Sequence, residues 1–193
     1  AAGVMISKAV EKAVAEGLSE RELCRLTDDA LIFYLRDRFG QEEPLAELLA
    51  DFCVRRLFKR CYLISRAIGE EQVRRMVRRY HLNEDGARDA LERRIAGELG
   101  TQAHRVAVYC APPEMALKEA DVPVTMPGAE MARLSSLNSE EIRVLKDQHR
   151  GLWKLYVFVS ARLSDRLAEA GELSEGAIGF ANELPAEMRG GLL

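Results

Sequence analysis

The sequence predicts an α+β fold with an N-terminal helical segment, a mixed lobe of strands and helices, and a C-terminal helix. Three observations predict it. Up to about Arg56 the apolar residues recur at helical spacing, and the punctuation between them is that of helix ends. After Phe58 the period changes, and Lys59–Arg66, His104–Cys110 and Trp153–Ser160 read as strands. Between those strands the helical period returns, so strands and helices alternate in one lobe.

The first element, within AAGVMISKAVEKAVAEG, is an amphipathic helix with Ile6, Val10, Ala13 and Val14 on one face, broken at Gly17. It starts inside its own pattern and without a methionine, which reads as a piece of a longer chain. Ser19-Glu-Arg-Glu22 is a capping box that opens a short helix to about Arg25. Thr27 is placed to cap the next helix, with Asp28 and Asp29 at its electropositive start and Leu31, Ile32, Tyr34 and Leu35 at helical spacing. Gly40 ends that helix. Pro44 fits the first turn of another, whose apolar face is Leu45, Leu48, Leu49, Phe52 and Cys53. Arg55, Arg56, Lys59 and Arg60 load its far end with positive charge.

In the second half, Gly69 opens a helix with Val73, Met76, Val77 and Tyr80 inward, and Asn83 caps one that closes at Gly100. The strand His104–Cys110 is stopped by Pro112 and Pro113. A short edge strand is predicted over Val122–Met126, beside Pro123 and Pro127. Asn138-Ser-Glu-Glu141 is a capping box for a helix to about His149. Trp153–Ser160 is the strongest strand signal, followed by a helix through about Ala170 and a glycine-containing tail. Strand, helices, strand, strand, helix, strand is the split-βαβ, ferredoxin-like (βαββαβ) order. The predicted domains are a helical segment at 1–58, the ferredoxin-like lobe at 59–160, and a C-terminal helix and tail at 161–193.

A chain of 193 residues, 48% hydrophobic, can bury a substantial core. With 28 basic against 31 acidic side chains, bulk charge gives no affinity for nucleic acid or membrane, and no run approaches the roughly 20 apolar residues of a span. Cys24, Cys53, Cys61 and Cys110 form no CxxC pair and read as reduced, buried thiols of a cytoplasmic protein.

Motifs for chemistry are few. His81, His104 and His149 lack metal-ligand spacing, and no glycine-rich phosphate loop, serine nucleophile elbow or Cys–His pair occurs. Arg74, Arg75, Arg78 and Arg79 form a basic stripe that reads as a solvated face paired with acids such as Glu70 and Glu71. Tyr80 is its one aromatic neighbour, which argues against a nucleic-acid platform. Trp153, Tyr156 and Phe158 suit a core or a subunit contact. Arg55 and Lys59, one helical turn apart, would share a face and could converge on a polyphosphate; a helix C-terminus also favours basic residues through its dipole alone.

One order of motifs goes further. L-T-D-D-x-L at Leu26–Leu31, a helix, a charged turn and a helix ending R-x-L-F-K at Arg55–Lys59 resembles the region just after the catalytic core of HD-domain deoxynucleoside triphosphate triphosphohydrolases, including the sterile-alpha-motif-containing type. The stretch Ala9 to Gly17 is similar to the helix that closes that core. The resemblance implies a metal-dependent phosphohydrolase whose H…HD…D metal centre lies upstream. This chain has no His-Asp dipeptide, so it is expected to hold no cofactor and to be inactive alone. It further implies a homo-oligomer in which Arg55 and Lys59 help hold a regulatory nucleoside triphosphate, and an appended lobe of the predicted order. The competing reading is a non-enzymatic module that binds a protein or an RNA.

Overall fold

The computed structural model describes residues 1–41, 43–112, 123–125, 131–133, 140, 143–144, 148 and 151–185. Its architecture is α+β, as the sequence predicts: N-terminal helices, a small antiparallel sheet and a C-terminal helix.

Helix α1 (Ala2–Ala15) buries Met5, Ala9 and Ala13; of the predicted face Ala13 is buried, Ile6 and Val10 are partly buried, and Val14 is exposed. Ala9 and Ala13 let α4 approach this helix closely, and Val10 packs at the margin of the same core. Helix α2 (Glu20–Leu23) has the full capping box, with Ser19 Oγ accepting from the Glu22 amide and the Glu22 carboxylate accepting from the Ser19 amide at 3.0 Å. Helix α3 (Asp28–Phe39) is capped by Thr27 and stops at Gly40, and helix α4 (Glu43–Cys53) has Pro44 in its first turn. Leu18, Leu35, Phe39, Leu45 and Leu49 close the core of this helical part.

Strand β1 (Lys59–Ser65) follows, then helix α5 (Glu70–Met76), prolonged by a π-helical turn through His81. Val73, Met76, Val77 and Tyr80 are all buried. Asn83 does cap the next helix, α6 (Ala87–Glu98), but from outside a left-handed turn: its side-chain oxygen accepts from the Arg88 amide at 2.9 Å. Strand β2 (Val106–Cys110), the two-residue strands β3 (Pro123–Val124) and β4 (Ala132–Arg133), strand β5 (Lys154–Val159) and helix α7 (Leu167–Ile178) complete the order.

The sheet runs β1-β5-β2, with β5 antiparallel to both neighbours, so β1 and β2 are parallel and the βαβ unit is split as predicted. The strand assignment within it differs. The predicted third strand, near Val122, instead forms a separate two-residue ribbon of β3 with β4. The predicted last strand takes the central place. Its sequence suits that, because Leu155, Val157 and Val159 face one core while Tyr156 and Phe158 face another. Along the free edge of β1 lies the chain after α7: the Leu63 amide donates to Asn182 Oδ1 at 3.2 Å, the Glu183 amide to the Leu63 carbonyl at 2.9 Å, and the Ser65 amide to Glu183 Oε1 at 3.0 Å. The predicted helix from Asn138 to His149 lies outside the described residues for the most part.

The C-terminal helix is longer than predicted, running through Gly171 and Gly176 to Ile178. Gly171 is there for contact, not flexibility: a Cβ at that position would sit 2.8 Å from the Cys61 carbonyl oxygen. That carbonyl is at a bulge between Arg60 and Tyr62, which turns both Cys61 and Tyr62 into the main core with Trp153, whose indole donates to the Ala111 carbonyl at 2.9 Å.

Candidate functional site

The R-x-L-F-K stretch is where the helical part meets the sheet. Helix α4 ends at Cys53, and the Arg55 amide bonds the Phe52 carbonyl at 3.0 Å while the Arg56 amide bonds the Asp51 carbonyl at 2.8 Å. This pair of bonds is the Schellman helix stop, whose left-handed residue is ordinarily glycine. Here it is Arg55, at φ +57°. Leu57 is partly buried and Phe58 is buried with Met5, Leu48, Ala107 and Phe158, so the motif's two apolar residues seal helices α1 and α4 to the sheet. Lys59 is the first residue of β1. The predicted helical spacing between Arg55 and Lys59 therefore does not exist, because the helix stops two residues before Arg55. Both side chains are exposed, and neither has an ion-pair partner among the described residues. Arg56, between them, instead turns back to Asp51 at 3.1 Å.

Beneath this turn lies a charged joint that the sequence reading missed. Glu47 and Asp51, one turn apart on α4, face the lobe. Asp51, only 3% exposed, accepts two bonds from Arg162 at 2.9 and 2.8 Å. Glu47 accepts a two-pronged pair from Arg105 at 2.8 and 2.6 Å. Those bonds hold the Glu47 carboxyl below its ordinary pKa. His104 is buried beside it with Nε2 3.5 Å from Glu47 Oε1, and burial lowers its pKa although Glu47 pulls the other way. Two acids spaced i, i+4 inside the apolar run LAELLADFC were the available signal, since inward carboxylates need buried partners. Their arginines lie 58 and 111 residues away and no spacing rule reaches them.

The remaining predicted residues scatter. His81 Nδ1 lies 3.0 Å from the Cys110 carbonyl, His104 belongs to the joint, and His149 lies outside the described residues. Among the described residues, no three His, Cys, Asp or Glu side chains gather so as to hold a metal ion. Arg74 pairs with Glu70 at 3.4 Å, and Arg75, Arg78 and Arg79 are exposed with it. The thiols correct the sequence reading in part: Cys61 and Cys110 are buried and pushed up to about 12 by desolvation, but Cys24 and Cys53 are exposed. Cys53 is the last residue of α4, and its side chain is exposed. Trp153 and Phe158 are core residues, and Tyr156 lies between Phe158 and Arg60, whose guanidinium stands 5.8 Å above its ring.

A family model described as "HD associated region" matches residues 1–173, taking in the helical part, the R-x-L-F-K turn and the whole sheet. The chain belongs to the HD-associated region family. It is a region that accompanies HD-domain proteins, in line with the motif order at Leu26–Lys59. No curated protein and no solved structure matches this HD-associated region. Among its described residues no helix is long and apolar enough to cross a membrane.

Proposed function

We propose that this HD-associated region is the C-terminal part of an HD-domain phosphohydrolase acting on nucleoside triphosphates. It brings subunits together and presents Arg55 and Lys59 to a regulatory nucleotide. It does no chemistry by itself, and the divalent metal belongs to the HD core of the parent protein.

The observation that carries this reading is Arg55. A non-glycine residue at the left-handed stop of a helix costs about 1 kcal/mol or more, and such strain persists where a side chain is needed for something else. Arg55 makes no ion pair among the described residues, and the Leu57–Phe58 anchor fixes the base of its turn and of Lys59. Two exposed cations on a rigid turn suit a phosphate chain. Phe33 and Val54, 73% and 67% exposed on the same helical part, are the apolar surface from which subunit contact is drawn.

Calorimetric titration of GTP and deoxynucleoside triphosphates tests the reading. Saturable binding that Arg55→Glu or Lys59→Glu abolishes is expected. Absence of nucleotide binding, together with salt-sensitive RNA binding, would overturn it in favour of an interaction module using the Arg74–Arg79 face.

A further inference from the structure

A second basic site, separate from the Arg55 turn, lies between helices α1 and α6. A cleft of about 420 Å³ opens there, with Lys8 and Lys12 on one wall, Arg88 and Arg93 on the other, and His104 also lining it. We propose that this cleft binds the phosphate chain of a polyphosphorylated anion.

The cleft also contains three carboxylates, and each is already engaged by the protein. Glu92 accepts the outward amide of Val108 at 2.9 Å and pairs with Lys8; Glu11 pairs with Arg88 at 3.1 Å; Asp89 accepts from the Asn83 amide group at 3.1 Å. Lys12 and Arg93 have no acidic partner among the described residues. The acids therefore orient Lys8 and Arg88 on the inner part of the cleft, while two unpaired cations stand at its mouth. His104, 5% exposed, closes the inner end of the cleft with its Nε2 turned to Glu47 Oε1 at 3.5 Å, so the cations alone face a ligand.

Spacing selects the ligand. Lys8 and Lys12, one turn apart on one face of α1, are separated by about 6 Å along the axis, and Arg88 and Arg93 of α6 line the opposite wall. Cations spread over that length on facing walls exceed the reach of a single phosphate and match a chain of two or three, which they can grip by charge-assisted bonds. The same chemistry is offered by inorganic tripolyphosphate and by the triphosphate of a nucleotide.

The test is calorimetry on the 193-residue chain with sodium tripolyphosphate and, separately, GTP. The variants are the double substitution Lys12→Glu with Arg93→Glu, and Arg55→Glu as the control for the other site. Lys12 and Arg93 are exposed and unpaired, so the double variant should keep the thermal transition of the wild type, which a melting curve checks. The expected result is tripolyphosphate binding weakened at least tenfold in the double variant and unchanged by Arg55→Glu. GTP weakened alongside it would make the nucleotide's own triphosphate the occupant; GTP unaffected would make it inorganic oligophosphate. No saturable tripolyphosphate binding by the wild type, or binding that only Arg55→Glu removes, would overturn the proposal, the latter while leaving the regulatory-site reading intact.

Discussion

At the scale of single residues, Arg55 offers a sharp dissociation of stability from function. Replacing it by glycine relieves the left-handed strain at φ +57°. Arg55→Gly should thus raise stability by about 1 kcal/mol in chemical denaturation while weakening nucleotide binding as Arg55→Glu does. A variant that loses stability would mean that the arginine side chain packs against something that matters for the fold. Gly171 should behave in the opposite way. Gly171→Ala drives a methyl onto the Cys61 carbonyl, and a loss of about 1–3 kcal/mol is expected from the resulting overpacking. Thiol reactivity gives a third check at this scale. Cys24 and Cys53 should react promptly with a thiol reagent in the native state, while Cys61 and Cys110 stay silent until denaturant is added.

Among the elements, α4 is the one whose attachment is most specified, by Phe58 and Leu48 on the apolar side and by Glu47 and Asp51 on the charged side. Asp51→Asn should destabilise by about 1–2 kcal/mol, below the value for a fully buried pair because Arg56 and Arg162 both reach solvent. Here the limits of the sequence are instructive. Thr27, Gly40, Pro44 and the Ser19–Glu22 box were readable because each acts within four residues of itself, and the structure has each in the expected role. The end of α4 was misread because arginine is a poor advertisement for a left-handed stop, so Arg55 and Lys59 were placed on a helix that had already finished. The strand period of Trp153–Ser160 was legible, but its central place was not, since strand order depends on partners 45 to 53 residues away in the ladder with β2 and 89 to 100 residues away in the ladder with β1. The carboxylates of α4 belong to the same class of long-range fact.

For the whole molecule, the buried ionisable groups set the response to acid. Glu47 has a lowered pKa in the folded state, so its stabilising share is present above the ordinary carboxylate range and is lost as pH falls through its folded value. His104, lowered by burial, acts in the same sense: the unfolded chain takes up the proton first, so stability begins to fall below about pH 6.5. Glu92 opposes both. Burial raises its pKa, and its neutral form gains ground in the fold as pH drops. The urea midpoint is expected to decline between about pH 7 and about pH 5, and less so in His104→Gln. An unchanged slope in that variant would assign the decline elsewhere.

The sheet has two outer edges, and neither presents a bare ladder. On β2, Glu92 takes the Val108 amide and His81 meets the Cys110 carbonyl; on β1, the chain from Asn182 to Glu183 lies alongside. The family match stops at residue 173, inside α7, whereas that edge cover begins nine residues later. Anyone cutting the chain at the family boundary would remove the last five residues of α7 and the strap beyond it, leaving β1 as an open template for strand addition. The natural unit for expression, crystallisation or domain grafting therefore takes in the strap through the buried Leu184, and a version ended at 173 is the one to find in the insoluble pellet.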